Sequence, residues 1–184
     1  MNQTQLGTVA APRGASGRAD GAVRTRTYTW TDPSATLAAL ADLPGIELLS
    51  AIGRGELPPP PLMRTLGFEP GEVGPGRMTF AMTPAEMHYN PLGSVHGGVI
   101  ATLLDSAAGC AVHSVLPAGM GYTSLDLTTK YLRPVTAETG RVIVTGTVLS
   151  RGSRTALAEA RLTDSRDRLL AYATSSCLLF SLSE

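Results

Sequence analysis

The feature that most constrains how this chain can fold is a helical pattern with no polar side. Between residues 99 and 116, Val99, Ile100, Leu103, Leu104, Ala107, Ala108, Ala111, Val112 and Val115 recur at helical spacing and cover more than one stripe. Gly97 and Gly98 open the pattern, and Pro117 and Gly119 end it. A helix that is apolar nearly all round has to be enclosed by the rest of its domain. The flanking sequence offers the enclosure. Residues 64–83 read as a hairpin, "RTLGFEP" and "RMTFAMT" about the turn "GEVGPG", with Met78, Phe80 and Met82 on one face. After the helix come four strand-like runs, "YTSLDLTTKYL", "GRVIVTGTVLS", "RTALAEARLTD" and "RLLAYATSSCLLF", divided by turn residues at Pro134, at Gly152 and in "DSRD". In the first of these, Leu125, Leu127, Thr129 and Tyr131 alternate with Ser124, Asp126, Thr128 and Lys130. The expected class is α+β: an antiparallel sheet wrapped around one long central helix.

The N-terminal third differs. Residues 1–31 are expected to be a disordered tail, rich over 1–27 in Gly, Ala, Ser and Arg. Residues 32–61 form an accessory segment. Asp32 and Pro33 start a short helix that Pro44 and Gly45 close; "IELLSAIG" makes a second, and the prolines of "ELPPPPLM" make a stiff extended connector. The main domain occupies residues 62–184. A formal net charge of +0 gives no field that would favour nucleic acid or a membrane surface. No run reaches the roughly 20 apolar residues of a membrane span, and no signal-peptide core is evident, so a cytoplasmic location is expected. Cys110 and Cys177 sit in apolar patterns and read as reduced, buried thiols. His88, His96 and His113 lack metal-ligand spacing, and no metal is expected.

Within the apolar helix stands one carboxylate, Asp105. An ionised Asp in a helix interior is costly unless paired. It could face a polar seam or bond an arginine such as Arg133. Eight residues upstream, Gly97 lies at the helix start, where unpaired N–H groups and the positive dipole end make an oxyanion site open to a carbonyl. Eight residues span roughly 12 Å of helix, too far for one carbonyl to touch both. Two antiparallel helices across a two-fold axis would bring Gly97 of one chain to Asp105 of the other, giving a dimer with two composite sites.

The run "NPLGSVHGGVIATLLD", with the later "TSLDLTTKYLRP", resembles hotdog-fold acyl-CoA thioesterases of the phenylacetate-degradation type over roughly residues 62–181. The resemblance implies a hotdog fold and hydrolysis of an aromatic or medium-chain acyl-CoA, with coenzyme A as part of the substrate and no further cofactor. It implies a homo-oligomer, a dimer or a dimer of dimers, without nucleic-acid or membrane partners. Asp105 would be nucleophile or general base. Gly97, beside Gly98, would donate to the thioester oxygen, Asn90 would position water or the carbonyl, and His96 would order the helix start. Ser124 or its neighbour Thr123 would assist from the next strand. The basic turn Arg151, Gly152 and Arg154 could hold the phosphates of coenzyme A, though it also reads as a solvated turn. Two other functions fit such a fold: an enoyl-CoA hydratase or dehydratase, and a non-catalytic acyl-CoA-binding regulator. The Gly-Gly helix start disfavours the first. The short, weakly basic residues 32–53 disfavour the second.

Overall fold

A computed structural model of the chain describes residues 21–182. Three short helices, α1 (Ser34–Asp42), α2 (Gly45–Gly53) and α3 (Pro61–Leu66), precede a hairpin of β1 (Phe68–Gly74) and β2 (Arg77–Met82). The long helix α4 (Gly97–His113) follows, and then β3 (Met120–Ser124), β4 (Thr128–Tyr131), β5 (Val142–Arg151), β6 (Thr155–Thr163) and β7 (Leu169–Ser181). The strands form one antiparallel sheet in the order β1-β2-β5-β6-β7-β3, with β4 also paired to β7. No helix among the described residues is long and apolar enough to cross a membrane.

The sheet curls around α4, and the contact is closest at β5. A Cβ on Gly146 would fall onto the Ala107 carbonyl. Glycine on the strand and Ala107, Ala108 and Ala111 on the helix, all fully buried, let the two backbones approach to a distance that larger side chains would forbid. Leu103, Leu104 and Val112 fill the space on either side, against Met78, Phe80, Met82, Val142, Val144 and Leu162. Thr79 and Ala81 are buried as well, so β2 is covered on both faces and not on the Met78 face alone.

Several local expectations change. Pro33 and not Asp32 is the residue before α1; the Asp32 carboxylate instead accepts from the Ser34 N–H and hydroxyl. The proline connector ends in a further helix, α3, with Pro61 in its first turn and Gly67 in the left-handed conformation (φ 72°) at its end. The expected single strand over 122–132 breaks between β3 and β4. There the Asp126 side chain accepts from the Ser176 N–H (3.0 Å) and its carbonyl accepts from the Ser175 hydroxyl (2.8 Å), so side-chain bonds replace part of the ladder. Within one chain, α4 is not enclosed on every side: Gly98 is exposed, and Ala101, Thr102, Asp105 and Ser106 are half-buried.

The expectation of a tail falls largely on residues 1–20, outside the described residues. Residues 21–31 have neither helix nor strand. Arg26 nonetheless donates to the Thr65 and Arg64 carbonyls at the end of α3, where a cation meets the negative pole of a helix.

Candidate active site

The loop before α4 is organised by Asn90. Its side-chain oxygen accepts from the Leu92 N–H (2.8 Å) and more distantly from the Ser94 N–H (3.4 Å), while its amide donates to the Ser94 hydroxyl (3.3 Å). These bonds make it a turn former in this chain. His96 is the N-cap of α4: its Nδ1 accepts from the Gly98 N–H at 2.9 Å, which assigns the ring proton to Nε2 in the neutral form. Both neighbours of Gly97 are thereby fixed. The Gly97 N–H makes no hydrogen bond among the described residues, and its carbonyl accepts from the Tyr131 hydroxyl at 3.0 Å. A Cβ at Gly97 would press on that tyrosine ring at 3.2 Å, so glycine keeps both the donor and the tyrosine in place. Tyr131 is a site residue that the strand pattern did not single out, because alternation treated it as one more apolar position.

Asp105 lies two turns further along α4. The Ser124 hydroxyl, at the end of β3, donates to its Oδ1 at 2.9 Å. Of the two candidates on this strand, Ser124 and not Thr123 therefore reaches the carboxylate. Arg133 does not; it donates to the Leu169 carbonyl. One hydroxyl fixes one oxygen of Asp105 and leaves the other free to take a proton.

The two halves of the predicted site open on different cavities. Gly97 and Asn90, with Tyr131 and Arg133, line a space of about 340 Å³. Asp105 and Ser124, with Cys110, Tyr122 and Phe80, line another of about 210 Å³. A single chain does not bring Gly97 to Asp105. Burial pushes the Cys110 thiol up to about 12, which leaves it protonated and unreactive at neutral pH; Cys177 is free and fully buried. Arg151, Gly152 and Arg154 are exposed at the β5–β6 turn. Register places the adjoining Thr155 beside Leu178 and Leu178 beside Thr123, so the basic turn is two strands from the end of β3, roughly 10 Å away.

Comparison with known proteins gives a consistent answer. The family model of the thioesterase superfamily matches residues 92–171, a span that holds Gly97, Asp105 and Ser124. The mouse protein named acyl-coenzyme A thioesterase 13 is 33% identical over 93 residues, covering 50% of this chain and 64% of the relative. A Halobacterium salinarum protein with an esterase name is 35% identical over 103 residues, covering 53% and 66%. The chain thus spans just under two thirds of the length of these curated relatives. Among solved structures, a phenylacetic acid degradation-related protein of Ralstonia eutropha JMP134 aligns with a TM-score of 0.65 and 28% identity, covering 71% of this chain and 98% of that one. With the central helix, the curled antiparallel sheet and the matched segment in agreement, the chain has the hotdog fold, and its residues 92–171 match the thioesterase superfamily.

Proposed function

We propose that the protein is an acyl-CoA thioesterase, hydrolysing an aromatic or medium-chain acyl-CoA to the free acid and coenzyme A in the cytoplasm, and that its active unit is a homodimer or a dimer of dimers. The observation that carries this reading is the Ser124–Asp105 hydrogen bond of 2.9 Å, which holds a carboxylate at the edge of an apolar cavity. Asp105 takes a proton from water, and the resulting hydroxide attacks the thioester carbonyl. The carbonyl electrons move to oxygen, where a Gly97 N–H at the positive end of α4 stabilises the charge. Collapse of this adduct expels the thiolate of coenzyme A, which recovers the proton from Asp105. Water is the only other reactant, and the chemistry calls on no metal or redox cofactor.

Gly97 and Asp105 on one helix are roughly 12 Å apart, so the donor comes from the partner subunit. Supporting this is the surface around the half-buried face of α4: Leu125, Tyr131 and Leu132 are 59%, 54% and 50% exposed on the edge formed by β3 and β4. Large apolar side chains gathered on an open sheet edge suit a second copy of the chain. Asn90 acts by shaping the loop that presents Gly97, His96 by capping the helix, and Gly98 by leaving the approach to Gly97 clear. Arg151 and Arg154 with Gly152 supply a positive surface for the phosphates of coenzyme A, and Thr123 lines a second cavity that adjoins the one holding Asp105. The direct test is thiol release from a panel of acyl-CoAs. The reading expects turnover that Asp105→Asn nearly abolishes without unfolding the protein; a loss of about tenfold or less, roughly 1.4 kcal/mol of barrier, would make Asp105 structural.

A further inference from the structure

The accessory helices do more than cover the sheet. Between α1, α2, the proline connector and the far half of α4 lies an apolar cavity of about 520 Å³, walled by Leu37, Leu40, Leu48, Leu49, Ile52 and Phe180 among others. Cys110, Tyr122, Ser124 and Pro60 line both this cavity and the smaller one that holds Asp105, so the two adjoin at the residues beside the carboxylate. Leu37, Leu40, Leu48, Leu49, Ile52, Pro60 and Phe180 all lie outside residues 92–171, the segment that the family model matches. Most of this space is therefore walled from outside the segment that the family model matches.

One polar group is out of keeping with it. His113 is 5% exposed and lines the cavity, yet neither ring nitrogen has a hydrogen-bond partner among the described residues. Its backbone is pinned, because α2 packs so closely that a Cβ on Gly45 would strike the His113 carbonyl. Its ring lies against Tyr122, 5.7 Å between centroids. A buried imidazole with no partner costs free energy that a ligand atom can recover. Eight residues separate His113 from Asp105, roughly 12 Å along the helix, a distance that suits the two ends of a medium-length acyl group.

We infer that α1, α2 and the proline connector close an acyl chamber, and that His113 in its wall selects acyl groups carrying a hydroxyl or carbonyl oxygen at the end remote from the thioester. This rests on the thioesterase reading only for the identity of the ligand as an acyl-CoA. The test measures binding by calorimetry, with the full chain carrying Asp105→Asn so that hydrolysis does not intervene. Octanoyl-CoA is compared with its ω-hydroxy counterpart, before and after adding His113→Phe. The expected result is that the affinity ratio favouring the hydroxy ligand drops by about tenfold, the worth of one buried hydrogen bond. A ratio unchanged by His113→Phe overturns the selection. Leu40→Trp, at a partly exposed position that should tolerate it, narrows the chamber; it should weaken octanoyl-CoA about tenfold and leave acetyl-CoA as before. Equal effects on both ligands, or none, overturn the chamber, and this arm decides the matter if His113→Phe does not fold. Absence of thiol release from any acyl-CoA by the unmutated protein would defeat the hydrolytic reading alone, since the binding pattern stands or falls independently of it.

Discussion

Ser124 and His113 are the two side chains whose behaviour follows most directly from their surroundings. The Ser124 hydroxyl donates to one oxygen of Asp105, so Ser124→Ala leaves the carboxylate free to rotate; kcat for acyl-CoA hydrolysis should fall roughly tenfold, about 1.4 kcal/mol of barrier, with KM little changed. Steady-state kinetics on the purified variant checks this, and an unchanged kcat would show that the carboxylate needs no orienting partner. For His113, burial holds the imidazole below its ordinary range because the charged form is poorly solvated there. The unfolded chain takes up this proton near pH 6.5, about the value for a free imidazole, whereas the folded chain does so only at lower pH. Within that window the unfolded state binds more protons, so stability falls as the pH drops; above it the contribution is fully present. Urea midpoints measured from neutral pH downward should therefore decline, and His113→Phe should make the decline shallower.

At the level of elements, the junction of α4 with β5 sets how tightly the sheet can close. Gly146→Ala places a methyl group on the Ala107 carbonyl, and the resulting overpacking should cost about 1–3 kcal/mol or more. A lowered urea midpoint with an unchanged m value would report this as lost stability, while an unaffected midpoint would mean that helix and strand can separate freely. The long helix and the hairpin were legible because their periodicity is strong and uninterrupted from Val99 to Val112 and from Met78 to Met82. The helix α3 was not, although Pro61 and Gly67 mark its two ends, because four consecutive prolines dominated the reading of that stretch. The break between β3 and β4 was hidden for a different reason: it depends on Asp126 bonding to Ser175 and Ser176, about fifty positions away, and alternation carries no information about such a contact. In the site, Asp105 was conspicuous as a charge in an apolar run, and Gly97 as a helix start. Tyr131 and His113 were not, since what distinguishes them is a hydrogen bond to a backbone carbonyl in one case and, in the other, ring nitrogens with no hydrogen-bond partner among the described residues.

For the whole molecule, the central claim is that catalysis belongs to a pair of chains. In a single chain Gly97 and Asp105 face separate cavities, and a two-fold arrangement would unite them. The most direct measurement is subunit exchange between two inactive proteins. Gly97→Pro removes the N–H donor and Asp105→Asn removes the carboxylate, so each homodimer should be nearly inactive. In a mixed dimer one site carries both lesions and the other carries neither, and hydrolysis should return toward half the activity of the unmutated dimer. If instead the folded, exchanged heterodimer recovers no activity, every site still holds a lesion, and the cross-subunit site is contradicted.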